Sequence, residues 1–395
     1  MSDYDVLIIG GGPAGSAAAI RLAASGARVL VLEEKRMPRA KLCGEFVTPE
    51  CFPTLKRLGV MERTLAAGAH KLTRLRLVSS GGRLVQMPIA RMSHGEDWAM
   101  GLSRYRFDQI LFERAREAGA VCLEGMAVRR CLFAGDRPRG VEATRLADGR
   151  TVNFTAPLVV DASGRNSRLM VERAERVGGR QGSRLYALKG HLENVAGIVE
   201  QIELYFFPQG YGGLVRVEEG KVNLCFIANE RAFRETGGDA QKIIQQTVMK
   251  NALAAERLSG FRVVGKWLTV GPLVFGRRRL SRRGVIAIGD ASGMIDPFTG
   301  TGIQMALRSG EIAAEAILGA VGDGATDRAR EALAAYRLGY EREFGRRMRV
   351  AGALRGAAFS PATANFIAGV FASAPWLTRS VLRATRSGSP DPQMT

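Results

Sequence analysis

The chain has 395 residues, which suggests two or three domains of roughly 150 residues each. Apolar residues make up 46% and charged residues 24%, a balance that excludes wholesale disorder. The 57 basic residues outnumber the 38 acidic residues by 19, so a nucleic-acid partner or an anionic membrane surface has to be weighed. Arginines are spread along the whole chain, and charge alone therefore selects no partner.

The cysteines argue against a disulfide framework or a metal site. They are odd in number and scattered, with no C-x-x-C pair and no histidine at ligand spacing: Cys43, Cys51, Cys122, Cys131 and Cys225. This usage favours a reducing cytoplasm. The amino terminus lacks the positive charge of a signal peptide, so secretion is not expected.

The first 33 residues follow the order strand, turn, helix, strand, acid. Residues 6–9 are an apolar β-branched run that predicts a buried parallel strand. A helix is expected over residues 14–24, and a second strand over residues 29–32 ends at Glu33. This order is typical of a dinucleotide-binding unit.

The turn of this unit carries the spacing Gly-x-Gly-x-x-Gly. Gly10 would permit the tight turn, Gly12 would let the backbone approach a pyrophosphate, and Gly15 would allow the helix to pack on the strand. The helix start offers amides to phosphates. Glu33 would accept hydrogen bonds from the adenosine ribose, so the sequence predicts a dinucleotide site.

A second glycine-rich turn lies about 280 residues further along the chain. Residues 284–288 predict another buried strand, which leads into Asp290, and a helix is expected over residues 303–318. Asp290 could bind a ribityl hydroxyl. The amides from Gly300 to Ile303 could face the edge of a flavin ring where negative charge accumulates on reduction. Two such turns suit one long cofactor better than NAD alone.

Four motifs in the correct order resemble those of the FAD-dependent aromatic hydroxylase and geranylgeranyl reductase superfamily, over about residues 3–320. They are the Gly10 turn with Glu33, the segment Arg104-x-x-Phe107-Asp108, the segment Asp161-Ala-Ser-Gly164-Arg165, and Gly289-Asp290-Ala-Ser-Gly293. The resemblance implies an α/β fold in which a Rossmann-like FAD-binding domain carries an inserted antiparallel β-sheet substrate domain and a C-terminal helical segment, as in p-hydroxybenzoate hydroxylase. It implies FAD as cofactor and NAD(P)H as a transient electron donor.

The resemblance also implies roles for single residues. Arg104 would lie near the flavin chain, Asp161 near both FAD and the pyridine nucleotide, and Asp290 at the ribityl group. Further positions would touch FAD through backbone atoms: Ala14, Cys43, Gly44, Ala127, Gly302 and Ile303. Cys43 is the one candidate for a direct chemical role, and packing against the flavin is the alternative.

The same reasoning divides the chain into three domains. Residues 1–174 plus 276–325 would form a discontinuous FAD-binding domain, residues 175–275 a β-rich substrate domain, and residues 326–395 a C-terminal helical cap. Short strands are expected at 202–207, 214–217, 222–227 and 262–270. No second Gly-x-Gly-x-x-Gly follows a strand, so a separate nicotinamide domain is not expected.

Tyr211, Gly212 and Gly213 are candidate substrate residues. Their segment aligns loosely with the substrate motif of geranylgeranyl reductases, but Gly213 stands where that motif has Trp. The glycines would leave open space for a broader aromatic or polyketide-like substrate, and a plain loop between strands is the alternative. A halogenase is disfavoured because the signature Trp-x-Trp-x-Ile-Pro is missing.

Histidines and arginines give weaker signals. His70, His94 and His191 are isolated in sequence and predict no catalytic dyad. The densest basic run, at residues 277–283, predicts an exposed loop, with attraction of lipid or NADPH phosphates as the alternative.

The carboxyl-terminal part suggests a membrane-facing cap. Four arginines precede the uncharged residues 356–378: Arg342, Arg346, Arg347 and Arg349. This order could rest a helical cap against an anionic membrane, and Ser360-Pro361 predicts a helix start. Pro361, Pro375 and several small residues make a membrane span unfavourable.

The leading interpretation is a cytoplasmic NAD(P)H-dependent FAD monooxygenase of a hydrophobic small molecule, with peripheral contact to the inner face of a membrane left open. The alternative is a geranylgeranyl-reductase-like enzyme that reduces isoprenoid C=C bonds. A third interpretation, a basic nucleic-acid-binding protein that retains a flavin fold, would need basic residues interleaved with aromatics. Aromatic residues make up only 7% of the chain and form no such stripe, so no nucleic-acid partner is expected. The sequence leaves the oligomeric state open.

Overall fold

A computed structural model describes residues 2–91, 96–170, 184–320 and 328–358. The helices, in chain order, are α1 (Pro13–Ala24), α2 (Phe52–Arg57), α3 (Met61–Ala66), α4 (Arg104–Glu117), α5 (Glu230–Thr236), α6 (Ala240–Gln246), α7 (Ala252–Arg257), α8 (Gly302–Gly319) and α9 (Arg328–Ala358). The strands are β1 (Val6–Ile9), β2 (Val29–Glu33), β3 (Phe46–Val47), β4 (His70–Leu72), β5 (Arg74–Val78), β6 (Leu84–Pro88), β7 (Ala99–Gly101), β8 (Val121–Glu124), β9 (Met126–Ala134), β10 (Arg137–Arg145), β11 (Thr151–Thr155), β12 (Leu158–Asp161), β13 (Leu185–Glu193), β14 (Gln201–Phe207), β15 (Gly210–Arg216), β16 (Val222–Asn229), β17 (Arg262–Val270), β18 (Gly276–Arg277), β19 (Ser281–Arg282), β20 (Val285–Ala287) and β21 (Gly293–Met294).

A six-stranded sheet in the order β19-β20-β12-β1-β2-β8 forms the centre of the first region. All its neighbouring pairs are parallel except β19 with β20. Helices α1, α4 and α8 cover one face, and the three-stranded sheet β11-β10-β9 covers the other. Burial on both faces explains why β1 and β2 are uninterrupted apolar runs.

A seven-stranded sheet in the order β17-β13-β16-β15-β14-β5-β6 forms the second region. Side chains alternate along its strands, so Leu188 and Phe226 face α5–α7, while Ala187 and Ile227 lie on the other face. Strands β5 and β6 come from residues 74–88, which the sequence analysis assigned to the first domain. They were not recognised because β5 pairs with β14, which lies far along the chain.

Helix α9 packs across α8 through aromatic side chains one helical turn apart, Tyr336, Tyr340 and Phe344. The Tyr336 hydroxyl donates to the backbone oxygen of Ala287 at 2.8 Å, which fixes α9 over β20. The rest of the predicted C-terminal cap, including Ser360-Pro361, lies outside the described residues. Within the described ranges, no helix is both long and apolar enough to cross a bilayer.

Candidate FAD-binding and substrate site

The turn after β1 contains glycines of two kinds. A Cβ on Gly10, where φ is +102°, would lie 2.5 Å from the backbone oxygen of Ala162, and one on Gly15 would lie 1.9 Å from that of Gly10. A Cβ on Gly12 would meet only Arg39 Nη2, at 3.5 Å. Gly10 and Gly15 therefore serve close packing, whereas Gly12 at the start of α1 leaves room for a ligand beside free helix amides.

Glu33 lies at the end of β2 beside this turn. One carboxylate oxygen accepts a hydrogen bond from the Gly11 amide at 2.8 Å, and the other accepts one from the Lys35 amide at 3.0 Å. Arg39 Nε lies 3.3 Å from Oε1 of Glu33. The structure thus places Glu33 where the sequence analysis expected an acid next to the dinucleotide turn.

Arg39 and Asp108 extend this polar group, and the sequence analysis assigned a role to neither. Arg39 Nη1 donates to Asp108 Oδ2 at 3.0 Å. Asp108 also accepts from Arg104, at 2.5 Å from Nε and 2.8 Å from Nη2. The spacing of four helical residues foretells the Arg104–Asp108 pair. Arg39 lies in an irregular segment 69 residues away from Asp108 and gives no such signal.

The second glycine-rich turn follows β20. Asp290, Gly293, Gly302 and Tyr340 line one small cleft. A Cβ on Gly302 would meet no atom within 4 Å, and Gly300 has a φ of +69°. Asp290 and the start of α8 therefore border the same space.

Both helix starts belong to one edge of the parallel sheet. Only β12 separates β1 from β20, and all three strands are parallel, so α1 and α8 begin at the same carboxyl edge of the sheet. A Cβ on Gly289 would lie 2.9 Å from the Ala14 Cβ, and one on Gly310 would lie 2.3 Å from the Ala14 oxygen. The predicted cofactor residues Ala14 and Ile303 are both buried next to their turns. The starts of α1 and α8 thus lie close together at this edge of the sheet.

The Asp161 carboxylate is buried and forms its hydrogen bonds within the protein. It accepts from the Ser163 amide and hydroxyl, at 2.9 and 2.6 Å, and from the Ser167 hydroxyl. Burial raises the pKa of the Asp161 carboxyl despite these bonds. Asp161 therefore shapes the turn beside Gly10, and its carboxylate lies away from solvent.

The basic run at residues 277–283 is not simply an exposed loop. It contributes β18 and β19, and Arg278 Nη1 donates to the backbone oxygen of Arg165 at 2.6 Å. Burial lowers the pKa of both Arg165 and Arg278, which lie close enough to Asp290 to feel its charge. The expectation of an exposed loop was wrong for Arg278 and Arg282, which are half-buried, whereas Arg277, Arg279 and Arg283 are exposed. Arg282 belongs to β19, which pairs with β20.

The predicted flavin-contact residues Cys43 and Gly44 lie on a segment between the two sheets. A Cβ on Gly44 would meet no atom within 4 Å, and Cys43 is half-buried. Lys41 Nζ lies 3.7 Å from the Cβ position of Gly164. The remaining predicted contact, Ala127, is buried at the beginning of β9.

His191 is isolated in sequence but has an acidic partner in the structure. Its Nε2 lies 2.6 Å from Glu45 Oε2, and Lys189 donates to the other oxygen of Glu45. The contact was missed because it joins residues 146 apart. The alternation of Lys189 and His191 with Leu188 and Leu192 in β13 is the signal that could have revealed a polar face. His70 contacts the Val199 oxygen at 2.5 Å, and His94 lies outside the described residues.

Gly212 and Gly213 do not leave open space. They belong to β15 and are not part of a loop. A Cβ on Gly212 would lie 2.2 Å from the Phe226 Cβ, and one on Gly213 would lie 2.7 Å from the Glu203 oxygen. The expected gap was wrong because neighbouring strands fill the space that these glycines leave.

Tyr211 takes part in an apolar cluster on the face of the sheet that looks toward the first region. Its hydroxyl donates to Asp296 Oδ1, and its ring lies 6.1 Å from that of Phe298. The cluster comprises Ala187, Tyr211 and Ile227 with the partly buried Leu42, Leu185, Phe206, Leu273, Phe275 and Phe298. Leu42 precedes Cys43 and Phe298 precedes Gly300, so this apolar cluster adjoins both predicted flavin-contact segments.

All five cysteines are free. Burial is the main cause that raises the pKa of Cys225 to about 12 and those of Cys122 and Cys131 to about 11. In the part of the chain that the structure describes, no three His, Cys, Asp or Glu side chains form a group that could hold a metal ion.

The residues present fit FAD. A cradle that side chains would obstruct is outlined by Gly44 and Gly302, where a Cβ would meet no atom within 4 Å, and by Gly12, where it would meet only Arg39. Two helix starts suit the phosphates and the electron-rich edge of the ring, with the acid Glu33 beside the first and the acid Asp290 beside the second. An extended dinucleotide matches this distribution of donors and acceptors.

Comparison with known proteins agrees with this geometry. Residues 3–337 match the family described as FAD binding domain, so the chain belongs to that family. It is an FAD-dependent oxidoreductase, and the predicted fold class and cofactor are confirmed.

Its relatives differ in chemistry. The 1H-pyrrole-2-carbonyl-(peptidyl-carrier protein) chlorinase of Pseudomonas fluorescens is 26% identical, over 81% of this chain and 76% of the relative. Digeranylgeranylglycerophospholipid reductase 2 of Methanopyrus kandleri is 28% identical, over 88% of this chain and 85% of the relative. The structure of the flavin-dependent brominase Bmp2 covers 97% of this chain and 93% of its own, with a TM-score of 0.80 and 22% identity.

Proposed function

We propose that this chain is an NAD(P)H-dependent monooxygenase that hydroxylates a hydrophobic aromatic or polyketide-like substrate. The observation that carries the proposal is the apolar cluster around Tyr211 and Phe298, which adjoins the open positions Gly44 and Gly302. Its partly buried rings Phe206, Phe275 and Phe298 would offer an apolar surface to a flat or greasy molecule.

The chain's own residues would orient this substrate and exclude water. FAD, when bound, supplies electron transfer and the reaction with oxygen. Phe206 and Phe298 pack against each other with ring centroids 5.7 Å apart, and an aromatic substrate would stack on the surface that this partly buried pair leaves exposed. Asp296 accepts the Tyr211 hydroxyl, so this polar atom is satisfied inside the protein and not by the substrate.

Oxygen use tests the proposal. Holoenzyme would be mixed with NADPH or NADH and a series of 4-alkylphenols as probes, while oxygen uptake and product mass are followed. We expect oxygen uptake coupled to a product heavier by one oxygen atom, with KM falling as the alkyl chain lengthens. Turnover that proceeds without oxygen, or halide incorporation when sodium bromide is added, would overturn the proposal.

A second candidate function is the reduction of isoprenoid C=C bonds. The segment Lys41-Leu-Cys43-Gly44-Glu45 favours it because it resembles the corresponding segment of geranylgeranyl reductases. The same apolar cluster would then bind a prenyl chain. Anaerobic holoenzyme reduced by dithionite and mixed with geranylgeraniol would yield a product heavier by two hydrogens per bond only in this case.

Halogenation, the activity named for two of the similar proteins, has less support in this chain. Its three tryptophans, Trp98, Trp267 and Trp376, are far apart in sequence and cannot supply Trp-x-Trp-x-Ile-Pro. A nucleic-acid partner has no support from an aromatic and basic stripe either.

A hydrophobic substrate would reach the site from an anionic membrane surface at which the enzyme binds peripherally. Arg342, Arg346 and Arg349 are exposed on α9 and could contact lipid headgroups. Arg347 is unsuitable, because it is buried and donates to Gln304 at 2.7 Å and to Glu343 at 2.6 Å. Co-flotation with phosphatidylglycerol vesicles but not with phosphatidylcholine vesicles is the expected result, and equal flotation with both would contradict it.

A further inference from the structure

A buried ionic cluster joins the Cys43–Gly44 segment to the seven-stranded sheet. Its centre is Glu45, whose carboxylate is fully buried and whose φ is +57°, in the left-handed region that favours glycine. A non-glycine residue keeps such a backbone only where its surroundings fix it. Glu45 is therefore held in place by its contacts.

The contacts of the Glu45 carboxylate come from two elements, β13 and α4. Lys189 and His191 on β13 donate to its two carboxylate oxygens, and the Arg104 amide at the start of α4 donates to Oε1 at 2.7 Å. Burial alone would raise the pKa of Glu45, but the hydrogen bond from His191 and the charge on Lys189 hold it below its ordinary value. The carboxylate therefore stays ionised between the sheet and the FAD-binding region.

The same face of the sheet also holds the backbone of the segment. Asn223 Nδ2 donates to the carbonyl oxygens of Cys43 and Gly44, at 3.2 and 2.9 Å, and Lys189 Nζ donates to that of Lys41 at 3.2 Å. With its carbonyls bound on this side, Gly44 keeps open space around its Cβ position. These hydrogen bonds hold the backbone of the Cys43–Gly44 segment against the seven-stranded sheet.

The segment also reaches the start of α8. The Phe46 ring lies 3.1 Å from the position that a Cβ would take on Gly300. A displacement of Glu45 would therefore move Phe46 and, through it, the loop that precedes α8.

We propose that Glu45, Lys189 and His191 are positioning residues, which hold the Cys43–Gly44 segment against the flavin-binding cradle and set the electrostatic environment of the bound flavin. The cluster balances the negative charge of Glu45 against the positive charge of Lys189. A net positive charge near a flavin favours electron uptake, and a net negative charge opposes it. This role is independent of whether the substrate is hydroxylated or reduced.

Reduction potentials of the holoenzyme variants test the proposal. Glu45→Gln leaves Lys189 without its counter-charge and is expected to raise the midpoint potential of the bound flavin. Lys189→Met is expected to lower it, and the double variant should return toward the wild-type value. A purely structural role would not produce shifts of opposite sign.

Glu203→Gln is the matched control. Glu203 is an equally buried carboxylate of the same sheet, paired with Arg76 at 2.6 Å and Arg257 at 3.3 Å. It lies on the alternate set of side chains with Tyr205, which packs toward α5–α7. We expect a lower Tm but an unchanged flavin potential and visible spectrum.

Two results would overturn the proposal: single variants that shift the potential in the same direction, or a Glu203→Gln shift as large as theirs. If Glu45→Gln yields no holoenzyme, Lys189→Met and the double variant decide. An unchanged potential and FAD dissociation constant in Lys189→Met would then reject the positioning role.

Discussion

The two sheets of this molecule differ in what surrounds the glycines of their glycine-rich segments. At the carboxyl edge of the six-stranded parallel sheet, a Cβ on Gly302 would meet no atom within 4 Å, and one on Gly12 would meet only the end of the Arg39 side chain. In the seven-stranded sheet, the space beside Gly212 and Gly213 is filled by neighbouring strands. The first sheet would therefore meet a ligand with main-chain amides, whereas the second would meet it with side chains on one face. A glycine-rich segment indicates a ligand only after its neighbours are known.

The largest effect is expected at Gly15. The variant Gly15→Ala would place a Cβ 1.9 Å from the Gly10 oxygen, an overlap that only backbone movement can relieve. We expect a loss of more than about 3 kcal/mol in the free energy of unfolding, and little flavin in the purified protein. Denaturant unfolding measures the free energy of unfolding. The ratio of absorbance at about 450 nm, where flavin absorbs, to absorbance at about 280 nm, where protein absorbs, measures the flavin content.

Gly12→Ala is the control for this variant. Its Cβ would meet only the end of a flexible arginine, so the stability of the apoprotein should stay within about 0.5 kcal/mol of wild type. The FAD dissociation constant should rise at least about tenfold, because the methyl group occupies ligand space. Equal stability of the Gly15 and Gly12 variants would contradict the distinction between packing and ligand glycines.

A smaller effect is expected in the second sheet. Gly212→Ala would bring a Cβ within 2.2 Å of the Phe226 Cβ, and we expect a loss of about 2–3 kcal/mol from overpacking. The FAD dissociation constant of the folded fraction should not change, as titration of apoprotein would show. Gly44→Ala is the counterpart, expected to leave stability unchanged and weaken FAD binding. The opposite pattern would restore the view that Gly212 leaves room for a substrate.

Tyr211→Phe tests the hydrogen bond between Tyr211 and Asp296 at the apolar cluster. Loss of the hydroxyl removes a hydrogen bond to Asp296, and the buried carboxylate loses a donor. We expect about 1–2 kcal/mol of destabilisation, measured by denaturant unfolding, with little change in FAD binding. The exposed Tyr105→Phe serves as control, and an equal effect there would refute the role of this bond.

The smallest effect concerns pH and the helix layer on the first sheet. Burial alone would raise the pKa of Glu311, but the hydrogen bond from Arg57 and the charge of Arg57 hold this pKa below its ordinary value. Because this pKa is lower in the folded state, the stabilisation is present at neutral pH and is lost as pH falls through it. The free-energy difference between wild type and Glu311→Gln should be about 1 kcal/mol at pH 7 and shrink below about pH 4.3.

Exposed Glu315, which pairs with Arg308 at 2.9 Å, provides the control through Glu315→Gln. Its effect should be near zero at every pH because surface pairs contribute little. A Glu311 effect that grows on acidification would show that the sign of the pKa change is wrong.

The sequence predicted the first sheet better than the second. Strand β1 matched residue for residue, and α1 and α8 differ by about one residue at an end, because buried parallel strands are continuous apolar runs and the glycine turns are local. Strand β17 also matched at both ends. The polar face formed by Lys189 and His191 was missed because its partner, Glu45, is about 145 residues away. The meaning of Gly212 likewise depends on cross-strand neighbours that no local pattern shows.

The close crossing of α1 and α8 has a consequence for how the cofactor assembles with the chain. Gly310 lets α8 approach the Ala14 carbonyl directly, so main-chain contact fixes the span between the two helix starts. A rigid span favours bivalent binding. Once one end of the ligand is bound, the other end is held near its own site at a high effective concentration. ADP and riboflavin added separately would each bind weakly, whereas FAD, in which the two are covalently joined, would bind much more tightly than either fragment.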